Sequence, residues 1–379
     1  MAAVSEVWDL AIVGSGPAGA AAALRALQLR PDARVLLVDR SDFPRDKPCG
    51  DGVAPHALDV LSRLGVTDAV AGFAPVQRLR LRSPGGQAVS GAMRRPAYVV
   101  PRRVFDGRLV QAAVCRGAQL TRHVVRRVDR RPGRVVLDGE ITARVVVAAD
   151  GANSAVRRQI GLAPNPPGHL AVAIRGYAPA PHDSPPEQLI AMAQDGWPAY
   201  AWSFPIGDGT ANVGYGEVLR RGPVTRGRLL DRLHALLPGL SSLSGPEAVV
   251  ELRAHHLPLS SHRPRPPDGR VLLAGDAASL INPFTGEGIF YAVLSGALAG
   301  EAALHGAAAG RVHRRRLRRA LGGHLRDTTL VAGLARRPWV VDAGMRAAAH
   351  DPAVFDDLVE LGLGRGRLTA RTLAGLLRR

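Results

Sequence analysis

Residues 7 to 19, VWDLAIVGSGPAG, restrict the fold of this chain more than any other stretch. A short apolar strand runs directly into Gly14, Gly16 and Gly19, spaced G-x-G-x-x-G. The AAAALRALQLR that follows, beginning near Ala18, is a strong helix former. A second apolar strand, ARVLLVDR, then ends at Asp39 and Arg40. Strand, glycine turn, helix, strand is a βαβ unit. Its glycines allow a tight turn and let the backbone approach a pyrophosphate, while the helix N-terminus offers free N–H donors and positive potential. Asp39, 25 residues after Gly14, is placed to accept hydrogen bonds from a ribose hydroxyl. The plain alternative is a tight turn with no ligand, and the pattern by itself does not separate NAD from FAD.

The chain has 379 residues, enough for two or three lobes. A hydrophobic content of 46% with 22% charge suits a soluble globular protein. No basic-then-apolar leader opens the sequence, and no run is long and apolar enough to span a bilayer. Two distant cysteines, Cys49 and Cys115, do not make a disulfide framework, so a reducing cytoplasmic setting is expected. The net charge of +18 reads either as an anionic partner (nucleic acid, a membrane surface or a pyrophosphate substrate) or as plain bias toward Ala, Gly, Pro and Arg, in which Lys47 is the sole lysine. A lysine kept among so many arginines marks a close contact that an ammonium fills and a guanidinium does not.

Beyond the βαβ unit, QRLRLRSP and HVVRRVDRRPGRVVLDGEITARVVVAADG read as β-rich, with RPG and DGE as hairpin turns. Strand-like pieces separated by Pro and Gly recur from 160 to 262, and the pattern turns helical from about 287. Two apolar strands end in Asp150-Gly151 and in Gly275-Asp276; the second leads through NPFTGEG into a helix. In order and spacing these segments resemble the three fingerprints of FAD-dependent proteins of the p-hydroxybenzoate hydroxylase type. The resemblance implies an α/β fold: a Rossmann-like FAD-binding domain (1–75, 101–160 and 265–305), an inserted, mostly antiparallel β-sheet substrate domain (76–100 and 161–264), and a helical C-terminal region (306–379). It also implies that Asp276 meets the ribityl chain and that Pro283, Gly286, Glu287, Gly288 and Ile289 border the isoalloxazine. There the positive end of the next helix would favour the reduced ring's negative charge. Arg102, in PRRVFDGRL, would contact the cofactor, with a plain surface position as its alternative. No second βαβ glycine motif is found, so the electrons are expected from an external donor: NAD(P)H, ferredoxin or a partner reductase.

RDKPCGDG, residues 45 to 52, resembles a segment of the geranylgeranyl reductase family, and so does the distant AYAWSFPIGDGTANVGYGEV. That family reduces isolated carbon–carbon double bonds of isoprenoids. Tyr200, Trp202 and Phe204 alternate along a strand and therefore share one face. With Pro205 they are the candidate substrate-binding residues; core packing is the plain alternative. Lys47, Cys49 and Gly50 are expected beside the flavin, Lys47 on a cofactor phosphate or a carboxylate, with a plain surface position as its alternative. Cys49, Tyr200 and Trp202 are the catalytic candidates, Cys49 as cavity lining first and proton relay second, since a thiol is a weak acid. An oxygen-using monooxygenase or halogenase on the same fold is the competing activity, and a flavin-bearing redox sensor or scaffold is the non-catalytic one. The halogenase pattern needs a lysine further along, and none exists. Adjacent His255 and His256 point to opposite faces of a strand, are read as ordinary sheet residues, and suggest no metal site. Arg311, Arg314, Arg315, Arg316, Arg318 and Arg319 lie on a helix, either as a solvated face or as a contact with a membrane surface or prenyl pyrophosphate. No nucleic-acid reading module accompanies the charge.

Overall fold

The computed structural model of the protein describes residues 7–180, 187–220, 224–236, 249–265 and 268–377. In chain order it forms β1 (Val7–Val13), α1 (Pro17–Leu29), β2 (Val35–Asp39), β3 (Gly52–Val53), α2 (Pro55–Arg63), β4 (Pro75–Arg82) and β5 (Ala88–Val99). There follow α3 (Arg102–Cys115), β6 (Gln119–Arg122), β7 (Val128–Arg131), β8 (Arg134–Leu137), β9 (Ile141–Ala148) and α4 (Ala155–Gln159). The second half comprises β10 (Leu170–Pro179), β11 (Glu187–Met192), β12 (Ala199–Pro205), β13 (Thr210–Val218), α5 (Arg226–Leu236), β14 (Val250–Pro258) and β15 (Val271–Leu273). It closes with α6 (Ile289–Ala303), α7 (Ala309–Leu334), α8 (Pro338–His350), α9 (Pro352–Leu363) and α10 (Ala370–Leu377).

The first sheet runs β6-β2-β1-β9-β8-β7, with β15 beside β9. Its centre is parallel, and the apolar runs of β1, β2 and β9 are buried there, as strands covered on both faces must be. The hairpins expected at RPG and DGE join β7 to β8 and β8 to β9. Helices α1 and α6 cross closely because their facing residues are small. A Cβ on Gly296 or Gly300 would stand 2.0 Å from the carbonyl oxygen of Ala18 or Ala22. This seam brings two helix N-termini to the same side of the sheet.

The second sheet runs β14-β10-β13-β12-β11-β4-β5-β3 and is antiparallel except where β11 meets β4. One face buries Ile174, Val213 and Tyr215 against Leu229 and Leu233 of α5. Helices α8 and α9 cover Leu79 and Met93 of β4 and β5 through Val341, Met345 and Phe355. β3 belongs to this sheet, pairing with β5, so the RDKPCGDG segment crosses from one sheet to the other. No helix of the described residues is long and apolar enough to cross a membrane.

Candidate active site

A cavity of about 1380 Å³ is lined by both sheets and by the C-terminal helices. Pockets for one small ligand measure roughly 300–1,000 Å³, so this one has room for a long cofactor and a second molecule. At one end stands the glycine turn. Gly14 adopts φ 93°, and a Cβ there would lie 2.3 Å from the carbonyl oxygen of Ala149, so only glycine fits. Gly16 caps α1 without any side-chain bond, leaving the first-turn N–H groups to a ligand. The guanidinium groups of Arg45 and Arg102 approach this turn. Asp39 is fixed by accepting from the Ser15 and Ser41 N–H groups at 2.8 and 3.0 Å. Ala18 and the exposed Arg40 also border this end. Open helix donors, two cations and a carboxylate held by backbone N–H groups fit the adenosine pyrophosphate half of FAD.

Arg102 is buried and grips Asp106 one turn along α3 with bonds of 2.6 and 2.7 Å, while bordering the cavity beside Gly16. Asp150 also borders the cavity, but its oxygens accept from the Ser154 hydroxyl at 2.6 Å and the Val156 N–H at 3.1 Å. Its visible work is to hold the start of α4. Gly19 does not line the cavity: a Cβ there would meet the Gly14 oxygen at 1.9 Å, so it serves helix–strand contact behind the turn.

At mid-cavity, Lys47 Nζ donates to Asp276 Oδ2 at 2.9 Å. Burial by itself would raise the Asp276 carboxyl, but the Lys47 ammonium holds it below its usual value. The lysine thus meets the expected carboxylate, and that carboxylate is the one carried by GDAA. His255 faces the same pair. Burial and Lys47 push its imidazole down to about 4, so it is neutral. The reading of His255 as an ordinary sheet residue is therefore corrected: it turns into the cavity, whereas His256 is exposed. Gly275, Pro283, Gly286, Gly288 and Ile289 line the wall from here to the start of α6. Glu287 Oε1 accepts from the Phe290 N–H at 2.9 Å and so occupies part of the helix terminus expected to face a flavin edge. Burial raises its carboxyl to about 7.

The far end is apolar. Tyr200, Trp202 and Phe204 stack along β12 with ring centroids 5.9 and 6.3 Å apart, all facing the cavity. Pro205, expected with them, is not in the wall, because strand alternation turns it to the opposite face. The Trp202 ring lies on Gly214 of β13, where a Cβ would come within 2.1 Å of it. Tyr200 Oη donates to the Thr285 carbonyl at 2.6 Å. Leu79, Ile190, Met192, Met345 and Leu358 complete the chamber. Gly50 packs against Phe204 and Trp202, so the two segments that are distant in sequence form one wall. Cys49 is part of it; burial pushes its thiol up, keeping it protonated. Both cysteines are free.

Sequence reasoning missed the residues that hold this wall. Asn212 donates to the Cys49 carbonyl at 2.9 Å and to Asp51 Oδ2 at 2.8 Å, and accepts from Trp202 Nε1 at 2.8 Å. Asp51, fully buried at φ 59°, also accepts from Tyr177 Oη at 2.7 Å. Burial raises its carboxyl to about 6. Buried Arg175 makes two 2.6 Å bonds to Asp46. An aspartate on either side of Lys47-Pro48-Cys49, in a chain short of acids, was the available signal.

A glycine turn on a parallel sheet, opened onto a cavity whose other end is an aromatic wall, defines an FAD-dependent oxidoreductase. Residues 7–191 match the model of the FAD binding domain family. The chain is 34% identical to the menaquinone reductase of Mycolicibacterium smegmatis over 77% of its own length and 75% of that protein's. It is likewise 34% identical to digeranylgeranylglycerophospholipid reductase 1 of Methanopyrus kandleri, over 78% and 80%. A geranylgeranyl bacteriochlorophyll reductase-like protein from Thermoplasma acidophilum shares the fold with a TM-score of 0.80, at 19% identity over 98% of this chain and 96% of that one. The chain belongs to the geranylgeranyl reductase family of FAD-dependent oxidoreductases.

Proposed function

We propose that this protein uses FAD to reduce isolated carbon–carbon double bonds of an isoprenoid. The observation that carries this reading is the shared cavity: the cofactor turn and the chamber walled by Tyr200, Trp202 and Phe204 are parts of one space. An isoprenoid offers methyl-bearing carbon and no charge, which is what such a wall can bury. The relatives named for menaquinone and for digeranylgeranylglycerophospholipid reduction support the substrate class.

Saturating an unactivated alkene needs two electrons and two protons. Bound FAD supplies the electrons and is recharged by an external donor, a nicotinamide or a reduced carrier protein. Lys47 and Asp276 hold mid-cavity as a fixed ion pair toward the ribityl chain. Burial raises the Glu287 carboxyl to about 7, so a share of it is protonated near neutral pH, and its Oε1 accepts the Phe290 N–H. As a protonatable group in the cavity wall it is our candidate for the acid that protonates the alkene. The Cys49 thiol lines the wall and relays. Aromatic faces of Tyr200 and Trp202 stabilise positive charge developing on the substituted carbon. The halogenase alternative lacks the later lysine it needs, and the sole lysine, Lys47, is held by Asp276.

The test is anaerobic. Protein-bound flavin is reduced, oxygen is removed, and a polyprenyl compound is added. The reading predicts flavin reoxidation and saturated product; reoxidation that requires oxygen contradicts it. Glu287→Gln should keep flavin and lower turnover about 100-fold. Unchanged turnover would remove Glu287 as the acid.

A further inference from the structure

Among the described side chains of residues 306–374, the large apolar ones left exposed are Leu330, Leu334, Trp339 and Leu373. Three of them fall within ten residues, at the corner where α7 ends and α8 begins. Leu330 and Leu334 are one turn apart and share a helix face. Trp339 is 61% exposed, the most of any large apolar side chain described. Arg336 and Arg337 stand between them, exposed and without an ion pair among the described residues, and no Asp or Glu occurs from Thr328 to Val341.

The same corner borders the cavity. Ala332, Gly333, Ala335 and Arg336 line it, and Gly333 and Arg336 are exposed as well, so the chamber reaches the surface here. Trp197 Nε1 donates to the Ala335 carbonyl at 2.7 Å and pins the corner to the turn before β12. Leucine, tryptophan and arginine without acids are the groups that enter an anionic lipid headgroup layer. A protein partner would need roughly 800 Å² per side, more than three side chains offer.

We propose that the α7–α8 corner seats on an anionic membrane, opening the cavity mouth into the lipid so that a membrane-dissolved isoprenoid enters directly. This rests on the isoprenoid reading above. It also relocates the membrane contact anticipated at Arg311–Arg319. That stretch lies about 25 Å further along α7 at 1.5 Å per residue. Within it, Arg314 is paired to Asp268 and Arg316 to Glu301.

The experiment is flotation of the holoprotein with phosphatidylcholine vesicles containing about one-third phosphatidylglycerol. The wild type should float, and a Leu334→Glu/Trp339→Glu variant with unchanged flavin content and Tm should float at least about tenfold less. That variant should turn over a short, water-dispersible prenyl substrate normally and a vesicle-embedded one poorly. Should it fail to fold, Trp339→Phe replaces it: brominated lipids should quench the wild type's tryptophan fluorescence and leave that of the variant largely unquenched. A wild type that does not float, a glutamate variant that floats equally, or flotation abolished only by reversing Arg311, Arg315, Arg318 and Arg319 overturns the proposal. Intact flotation with no turnover of any prenyl substrate would instead count against the isoprenoid reading alone.

Discussion

At the nucleotide end of the cavity, Gly14 and Gly19 shape one turn from positions five residues apart. At the aromatic end, Gly50 meets Trp202 across 152 residues of chain, and Gly214 receives the same ring from a third segment. The first end is a local turn whose Gly14 and Gly19 must stay bare for the backbone packed behind it, the carbonyl oxygens of Ala149 and Gly14. The second is specified by tertiary contact, by backbone that must stay bare for a side chain. Similar glycines therefore have separable consequences. The difference teaches that cofactor binding and substrate binding here can fail independently.

The largest expected effect comes from Gly14→Ala. Its Cβ would sit 2.3 Å from Ala149 O, at a positive φ, and the purified protein should lack yellow colour. Gly214→Ala should do the reverse: flavin absorbance stays, while the displaced Trp202 ring lowers stability by about 3 kcal/mol and prenyl turnover collapses. Loss of flavin in both would break the distinction.

Next is Asn212→Leu. It leaves the Trp202 N–H, the Cys49 carbonyl and an Asp51 oxygen short of a partner, at about 1–3 kcal/mol for each group left unsatisfied. Urea unfolding should register the loss with bound flavin still present. A stability equal to wild type would show that the wall does not depend on this amide.

The smallest effect sharpens the acid assignment. Glu287 is raised in the folded protein from 4.5 to about 7, and Asp51 from 3.8 to about 6. For an acid so raised, the folded state binds more protons than the unfolded one between the two values. Stability from these groups is full below the unfolded values and is lost as pH rises through the folded ones. His255, lowered to about 4, acts in the opposite sense over the same range, so the test is a difference: as pH rises from about 5 to about 7, Glu287→Gln should lose less Tm, or gain more, than the wild type. An identical slope in the variant would place the Glu287 titration elsewhere.

Much of this arrangement is legible in the sequence because its signals are local. G-x-G-x-x-G between a strand and a helix, or alternating aromatics in a strand, are patterns that neighbouring residues complete. Lys47 stood out against an arginine-rich composition, yet its partner lies 229 residues away. Asn212 and Arg175 gave no such signal. A polar residue inside a strand is ordinary until the fold buries it, and only tertiary contact shows that Asn212 ties its own strand to two other segments. Pro205 failed for a simpler reason: motif membership was extended to a residue that strand geometry turns away. His255 shows the converse, a polar strand residue that the β14 register turns into the cavity beside Lys47.

The most direct test of the shared cavity is a structure of the holoprotein with an unsaturated isoprenoid bound. The account predicts the chain along Tyr200, Trp202 and Phe204, with an alkene carbon against the flavin ring and its tail toward Gly333. An isoprenoid bound outside this chamber, or separated from the flavin by protein, would contradict it.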